Sequence, residues 1–277
     1  MSKLKKALEK ARMARQSRNG PAEQTTGETS VAGSTPALQD DGEIQITYTR
    51  TKVIPIDPRV LRKNKVISLF HEDRMTDQLK ILRTQILNRL KEIGGNSLLV
   101  TSVIPGEGKT FTAINLAISI AQELNRTVLL VDADLRHPLE RHCDFSCDFL
   151  GVDRGRGLSD YLMKNAEIPD LLFNPGIEKL TILPAGNPVP NSAELLGSAR
   201  MATLAQELKN RYSGDRVIIY DSPSLLTCPD PMVLSRFVDG ILLVVESERT
   251  PADDVKRAME LLKDKPVLGT LLNKRRQ

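Results

Sequence analysis

The strongest constraint on this chain is a glycine-rich stretch wedged between an apolar run and a helical pattern. Ser97–Val103 is short, continuous and largely aliphatic, FTAINLAISIAQEL from Phe111 onward repeats apolar residues at helical spacing, and Ile104-Pro105-Gly106-Glu107-Gly108-Lys109-Thr110 stands between them. Glycines let backbone N–H groups close around an anion, and a helix N-terminus aimed at the same point adds a favourable partial charge. Strand, glycine loop and helix in this order predict a phosphate-binding loop, or P-loop, with Pro105, Gly106, Glu107, Gly108, Lys109, Thr110 and Phe111 around a nucleotide such as ATP. Lys109 is expected to bridge the outer phosphates and the Thr110 hydroxyl to ligate Mg²⁺. The stretch departs from G-x-x-x-x-G-K-[ST] at its first position, where Val103 stands for Gly.

The rest of the chain continues the alternation. Further apolar runs lie at Thr127–Val131, Leu180–Leu183, Val217–Tyr220, Ile241–Val245 and Val267–Leu272. Helical patterns cover Asp77 to about Leu90, and then 110–124, 191–210, 230–236 and 253–263. Short continuous apolar runs suit strands buried on both faces. Their alternation with helices predicts an α/β fold of P-loop NTPase type, a mostly parallel sheet with helices on both faces. An apolar fraction of 40% suffices for one large core, and with no Trp that core is aliphatic.

Before residue 43 the composition changes. Residues 1–17 carry Leu4, Ala7, Leu8 and Ala11 at helical spacing, and predict a basic N-terminal helix. Seven Lys/Arg against the single acid Glu9 give residues 1–18 a local net charge of +6. Such a helix either touches anionic lipid or a partner, or is simply solvated. Residues 18–42 are rich in Gly, Ser, Thr and Pro and predict a flexible linker, leaving 43–277 as the folded domain. Residues 45–57 read as extended, with turns at Pro55 and Pro58. A net charge of only +4 gives little support to nucleic-acid binding. The three cysteines Cys143, Cys147 and Cys228 make no paired framework, which suits a reducing, cytoplasmic setting. No apolar run approaches the roughly 20 residues of a spanning helix, and no secretory signal is read. His137, His142, Cys143 and Cys147 fit no common zinc spacing.

Two more strands end in carboxylates. In Leu129-Leu130-Val131-Asp132-Ala133-Asp134-Leu135-Arg136, residues i and i+2 face the same side, so Asp132 and Asp134 are expected to point together into the crevice at the sheet's carboxyl edge. Such a pair needs a cation nearby, which Lys109 and Mg²⁺ would supply; the plainer reading is a helix cap and a solvated carboxylate. Val217-Ile218-Ile219-Tyr220-Asp221-Ser222-Pro223 is a second strand ending in Asp, read as the Walker B element with Asp221 holding Mg²⁺. Asp230, just beyond, is read either as a nucleotide-sensing switch or, more simply, as the cap of the next helix.

With PGEGKT, LLVDADLR and VIIYDSP in this order, the chain resembles the bacterial tyrosine kinases (BY-kinases), P-loop proteins that regulate capsule and exopolysaccharide export. MSKLKKALEKA, LTILPAGNPVPNSAELLGS and GTLLNK look most like the exosortase-associated (PEP-CTERM locus) tyrosine autokinases. The resemblance implies an ATP- and Mg²⁺-dependent protein-tyrosine kinase. Lys109, Asp132, Asp134 and Asp221 would be its catalytic residues, with Asp132 orienting or deprotonating the attacking phenol. Thr110, Asp134 and Asp221 would hold the metal, and Asn273 would face the adenine unless it is a turn residue. It also implies a separate transmembrane polysaccharide co-polymerase as adaptor, hence a peripheral place at the inner face of the plasma membrane. A ring of copies would form through the helix bearing Asp77, Lys80 and Arg83, the positions of an E-x-x-R-x-x-R motif, unless that helix is a solvated face.

Two departures from the family matter. The chain ends LLNKRRQ without a tyrosine cluster; its tyrosines are Tyr48, Tyr161, Tyr212 and Tyr220, of which Tyr48 is the best acceptor and Tyr220, in an apolar strand, a poor one. Ser224 replaces the Pro that usually follows DSP. Two other functions therefore stay open: a deviant-Walker ATPase of the partition or septum-placement type, and a nucleotide-gated scaffold of the export machinery without kinase activity. The first lacks its extra P-loop lysine here, since Ile104 occupies that position.

Overall fold

The computed structural model describes residues 51–69, 74–136, 149–152, 155–210 and 215–275. They belong to the compact unit Asp41–Gln277. The expected N-terminal helix and linker, Tyr48, Tyr212 and the His137–Cys147 stretch lie outside the described residues.

The chain enters as β1 (Lys52–Val53), then α1 (Pro58–Lys63), a 3₁₀ turn at Ile67–Leu69 and the long α2 (Arg74–Glu92). Next come β2 (Ser97–Ser102), α3 (Lys109–Ala121) and β3 (Thr127–Asp132). Short helices α4 (Leu158–Leu162) and α5 (Ile168–Leu171) lead to β4 (Phe173–Asn174) and β5 (Leu180–Leu183). The second half runs α6 (Ser192–Leu196), α7 (Ala199–Asn210), β6 (Arg216–Asp221), α8 (Asp230–Leu234), β7 (Gly240–Glu246), α9 (Ala252–Leu261) and β8 (Val267–Asn273).

The strands form one eight-stranded sheet in the order β1-β4-β5-β3-β6-β2-β7-β8. Every pairing is parallel except β4 with β5. Alternation along each central strand divides the apolar residues between two cores. On one face Leu98, Val100, Val128, Leu130, Val217 and Ile219 pack under α1, α2 and α3. On the other, Leu99, Leu129, Val131, Ile218, Tyr220 and Leu243 pack under α4 to α9. Helix α3 is apolar almost all round because it lies between the sheet and α2. Its one buried amide, Asn115, is satisfied by accepting from Ser68 N (3.1 Å) and donating to the Phe111 carbonyl (3.0 Å).

Three expectations change. The single helix over 191–210 is two, because the α6 backbone closes on Gly197, whose N–H donates to the Ala193 carbonyl at 2.8 Å, and the chain restarts at Ser198. Pro58 opens a helix rather than a turn, since Asp57 caps it by accepting from Arg59 N at 2.8 Å and proline needs no donor there. Asp230 does not cap α8; it is the helix's first residue, and its fully buried carboxylate accepts from Arg136 Nε at 3.1 and 3.2 Å. The same Nε donates to Ser192 Oγ at 2.8 Å, so Arg136 joins the loop after β3 to α6 and α8. Removing one partner of such a pair strands a buried charge, so Arg136→Met is expected to lower unfolding free energy by about 3 kcal/mol, checked by urea denaturation.

On α2, Lys80 meets Asp77 at 3.2 Å on the exposed face, while Arg83 turns inward to Glu123 at 2.7 Å and to the Ser119 carbonyl at 2.9 Å.

Candidate nucleotide and phosphoryl-transfer site

The central strands all end at the same edge, and that edge carries the ionisable groups. Strand β2 runs between β6 and β7, and the loop after it turns into α3. Gly106 and Gly108 adopt φ of 88° and 93°, so both need glycine. A Cβ on Gly108 would also strike the Asn273 amide, and one on Gly106 would sit 3.1 Å from the Arg249 guanidinium. Pro105 and Gly106 are exposed, while Lys109 and Thr110 are buried at the first turn of α3 and Phe111 is half-buried.

The acidic residues reach this turn by strand parity. Val128, Leu130 and Asp132 share one side of β3, and Val217, Ile219 and Asp221 share one side of β6, the side that α3 covers. Asp132 and Asp221 are direct register partners. Asp132 is fully buried and accepts from Asp134 N at 3.1 Å, which bends the chain so that Asp134 Oδ2 lies 3.8 Å from Lys109 Nζ. The amine and the three carboxylates drawn from three separated stretches of sequence thus share one buried cluster.

The electrostatics are tense. Burial, reinforced by Asp132 and Asp134 and opposed by Lys109 and the Thr110 hydroxyl, leaves the Asp221 carboxyl pushed up to about 7. Asp221 Oδ1 and Thr110 Oγ1 are both buried, and apart from the approach of the Thr110 hydroxyl to the Asp221 carboxylate neither finds a hydrogen-bond partner. A buried hydroxyl and a buried carboxylate oxygen left short of partners are hard donors of the kind Mg²⁺ takes.

Several contacts were hidden from sequence reading. The Glu107 side chain turns away from the loop's mouth into the protein. Asn273 ends β8 and donates from Nδ2 to the Glu107 carbonyl at 2.8 Å, which places it against the P-loop. Ser224 uses the hydroxyl that a proline would lack, meeting Ser102 Oγ at 2.9 Å beneath the loop. Tyr220 is fully buried and burial raises its hydroxyl pKa far above the usual value, so its phenol is closed to chemistry. Tyr161 is buried under Arg200, whose guanidinium lies 4.1 Å from the ring centre.

No family model matches the chain. Among curated proteins it is similar to the tyrosine-protein kinase YwqD of Bacillus subtilis, at 32% identity over 216 residues, covering 77% of this chain and 86% of that protein. Among solved structures it is similar to the kinase domain of the Escherichia coli tyrosine kinase ETK, with a TM-score of 0.69 and 27% identity over 82% of this chain and 91% of that one. The septum site-determining protein MinD of Pyrococcus horikoshii, complexed with Mg-ADP, aligns over only 64% of this chain and 69% of its own, with a TM-score of 0.52 and 27% identity. Among the described residues no helix is long and apolar enough to cross a membrane. The fold, the carboxyl-edge cluster of this chain and a match of this identity and extent lead to one conclusion: the chain belongs to the family of bacterial tyrosine-protein kinases.

Proposed function

We propose that the chain is an ATP-dependent protein-tyrosine kinase of exopolysaccharide or capsule production, of the exosortase-associated kind. The observation that carries the reading is the cluster of Lys109, Asp132, Asp134 and Asp221 around the P-loop. The lower coverage and TM-score of MinD, and Ile104 in place of a loop lysine, argue against the septum-placement reading.

In this reading the loop N–H groups and Lys109 hold the phosphates of ATP, and Asn273 stands toward the adenine end. Thr110, Asp221 and Asp134 would hold Mg²⁺, which when bound neutralises charge on the phosphate oxygens. Asp132 orients the acceptor phenol and takes its proton. The phenol oxygen forms a bond to the γ-phosphorus, the bond from that phosphorus to the β–γ bridging oxygen breaks, and ADP leaves with the electron pair. Catalysis is then mainly positioning and charge neutralisation in a dry site. Tyr48 is the proposed acceptor within the chain. A separate transmembrane adaptor would bring the kinase to the inner face of the membrane, and Asp77 and Lys80 on the exposed face of α2 would serve contacts between copies.

The test is incubation of purified protein with γ-labelled ATP and Mg²⁺, with and without the co-encoded membrane adaptor, followed by phosphotyrosine mass spectrometry. Phosphotyrosine at Tyr48 or on a co-encoded protein is expected; ATP hydrolysis with no phosphotyrosine overturns the reading.

A pH dependence follows from Asp221. Only its ionised form binds a metal, and its carboxyl titrates at about 7 in the ligand-free protein. Affinity for Mg-ADP should therefore rise with pH and level off above 7, falling by up to about tenfold per unit below it. Calorimetric titration between pH 5.5 and 8.5 measures this.

A further inference from the structure

Glu107 is the least expected residue of the loop. It lies between the two glycines that curve the backbone, yet its carboxylate is fully buried on the side away from the loop's mouth. Oε2 accepts from the Ile104 N–H at 2.8 Å, which ties the end of the loop to its beginning. Oε1 accepts from the Glu246 N–H at 3.1 Å and from the Thr250 hydroxyl, which ties the loop to the end of β7 and the turn before α9. The backbone of the same residue is held from β8, since the Glu107 carbonyl accepts from Asn273 Nδ2 at 2.8 Å. Next to it the Gly106 carbonyl accepts from Lys274 Nζ at 2.6 Å.

A phosphate loop binds well only if its N–H groups already converge before the anion arrives. Those dipoles repel one another, and two residues at positive φ cost the chain conformational entropy. A carboxylate on the outer side, gripping one N–H of the loop and two donors of the neighbouring strand end, opposes the opening of that curve. Charge-assisted hydrogen bonds are the strong kind, and a buried carboxylate is satisfied only while all its donors stay in place.

We infer that Glu107 is a positioning residue, which holds the P-loop in its anion-binding shape by stapling it to the end of β7 through Glu246 N and Thr250 Oγ1. The inference rests on nucleotide binding at this loop and deepens it. Glu107 itself touches no phosphate; it acts through the Ile104 N–H at the start of the loop. Thr250 is part of the same device although it is 143 residues away in sequence.

The experiment titrates fluorescent Mg-ADP into the full chain and its E107Q, T250V and T250S variants, alongside thermal unfolding of each without nucleotide. An amide places an N–H₂ against a donor on one of its two sides, so E107Q should weaken Mg-ADP binding about 10- to 100-fold. T250V removes one donor and should weaken binding several-fold, and T250S, which keeps the hydroxyl, should restore it. The unfolding midpoints should stay within a few degrees of wild type, because the device shapes a loop rather than the core. Wild-type affinity in E107Q or T250V overturns the inference. So does loss of affinity that only tracks loss of folded protein. Should E107Q fail to fold, the T250V and T250S pair decides the matter. A wild-type chain that binds no Mg-ADP sinks the nucleotide reading itself, and the inference with it.

Discussion

Replacing Lys109 by Met is expected to reduce phosphotyrosine formation about 10³-fold while leaving the protein folded. Lys109 is the cation of the cluster, 3.8 Å from Asp134 and the leading opposite charge acting on Asp221. In phosphoryl transfer the protein contributes little covalent chemistry, so a lost charge at the transferring group falls almost wholly on rate. The methionine stem keeps the packing of the first turn of α3. Labelled ATP and a phosphotyrosine readout measure the rate, and unchanged circular dichroism confirms the fold. A variant with tenfold loss or less would show that the amine lies off the reaction path.

Asp221→Asn is expected to abolish Mg²⁺-dependent transfer and at the same time to stabilise the ligand-free protein. The sign follows from the titration. The carboxyl ordinarily titrates near 3.8, and in the fold burial raises it to about 7. Between those values the folded chain keeps a proton that the unfolded chain has lost. Raising pH from about 4 to about 7 therefore costs the folded state stability, and above 7 the full cost remains. An amide of the same shape carries no such cost, so the variant should gain roughly 2–4 kcal/mol at pH 8 without metal. Urea denaturation across pH measures both effects: the wild type should lose stability through this window, and the variant should not share that loss. Function held at the expense of stability is the general pattern for buried active-site charges.

The sequence carried the site further than the scaffold. Gly106 to Thr110 and the paired and single aspartates could be placed because each follows a continuous apolar run, and the end of a parallel strand is where an open sheet exposes its functional edge. Strands β2, β3, β5, β6, β7 and β8 were legible for the same reason. Strand β1 is two residues inside the stretch read as extended, and β4, also two residues, is too short for any periodicity; β4 exists because it pairs with β1 and β5. Helices α4 and α5, of five and four residues, left equally little pattern. The break at Gly197 was masked because apolar residues on both sides keep helical spacing. What sequence could not supply was long-range pairing of polar side chains. Nothing near Asp230 announces Arg136, and nothing near Glu107 announces Thr250, since sheet topology alone brings them together.

The central claim is that one buried cluster from three stretches of chain holds a nucleotide's phosphates and a metal for transfer to tyrosine. A crystal structure of the chain with Mg²⁺ and a non-hydrolysable ATP analogue tests it most directly. Thr110 Oγ1 or an Asp221 oxygen should lie about 2.1 Å from the metal, with Lys109 Nζ on the β- and γ-phosphates and Asp132 beside the γ-phosphorus. A nucleotide bound elsewhere, or a metal that leaves both of those oxygens unpartnered, would contradict it.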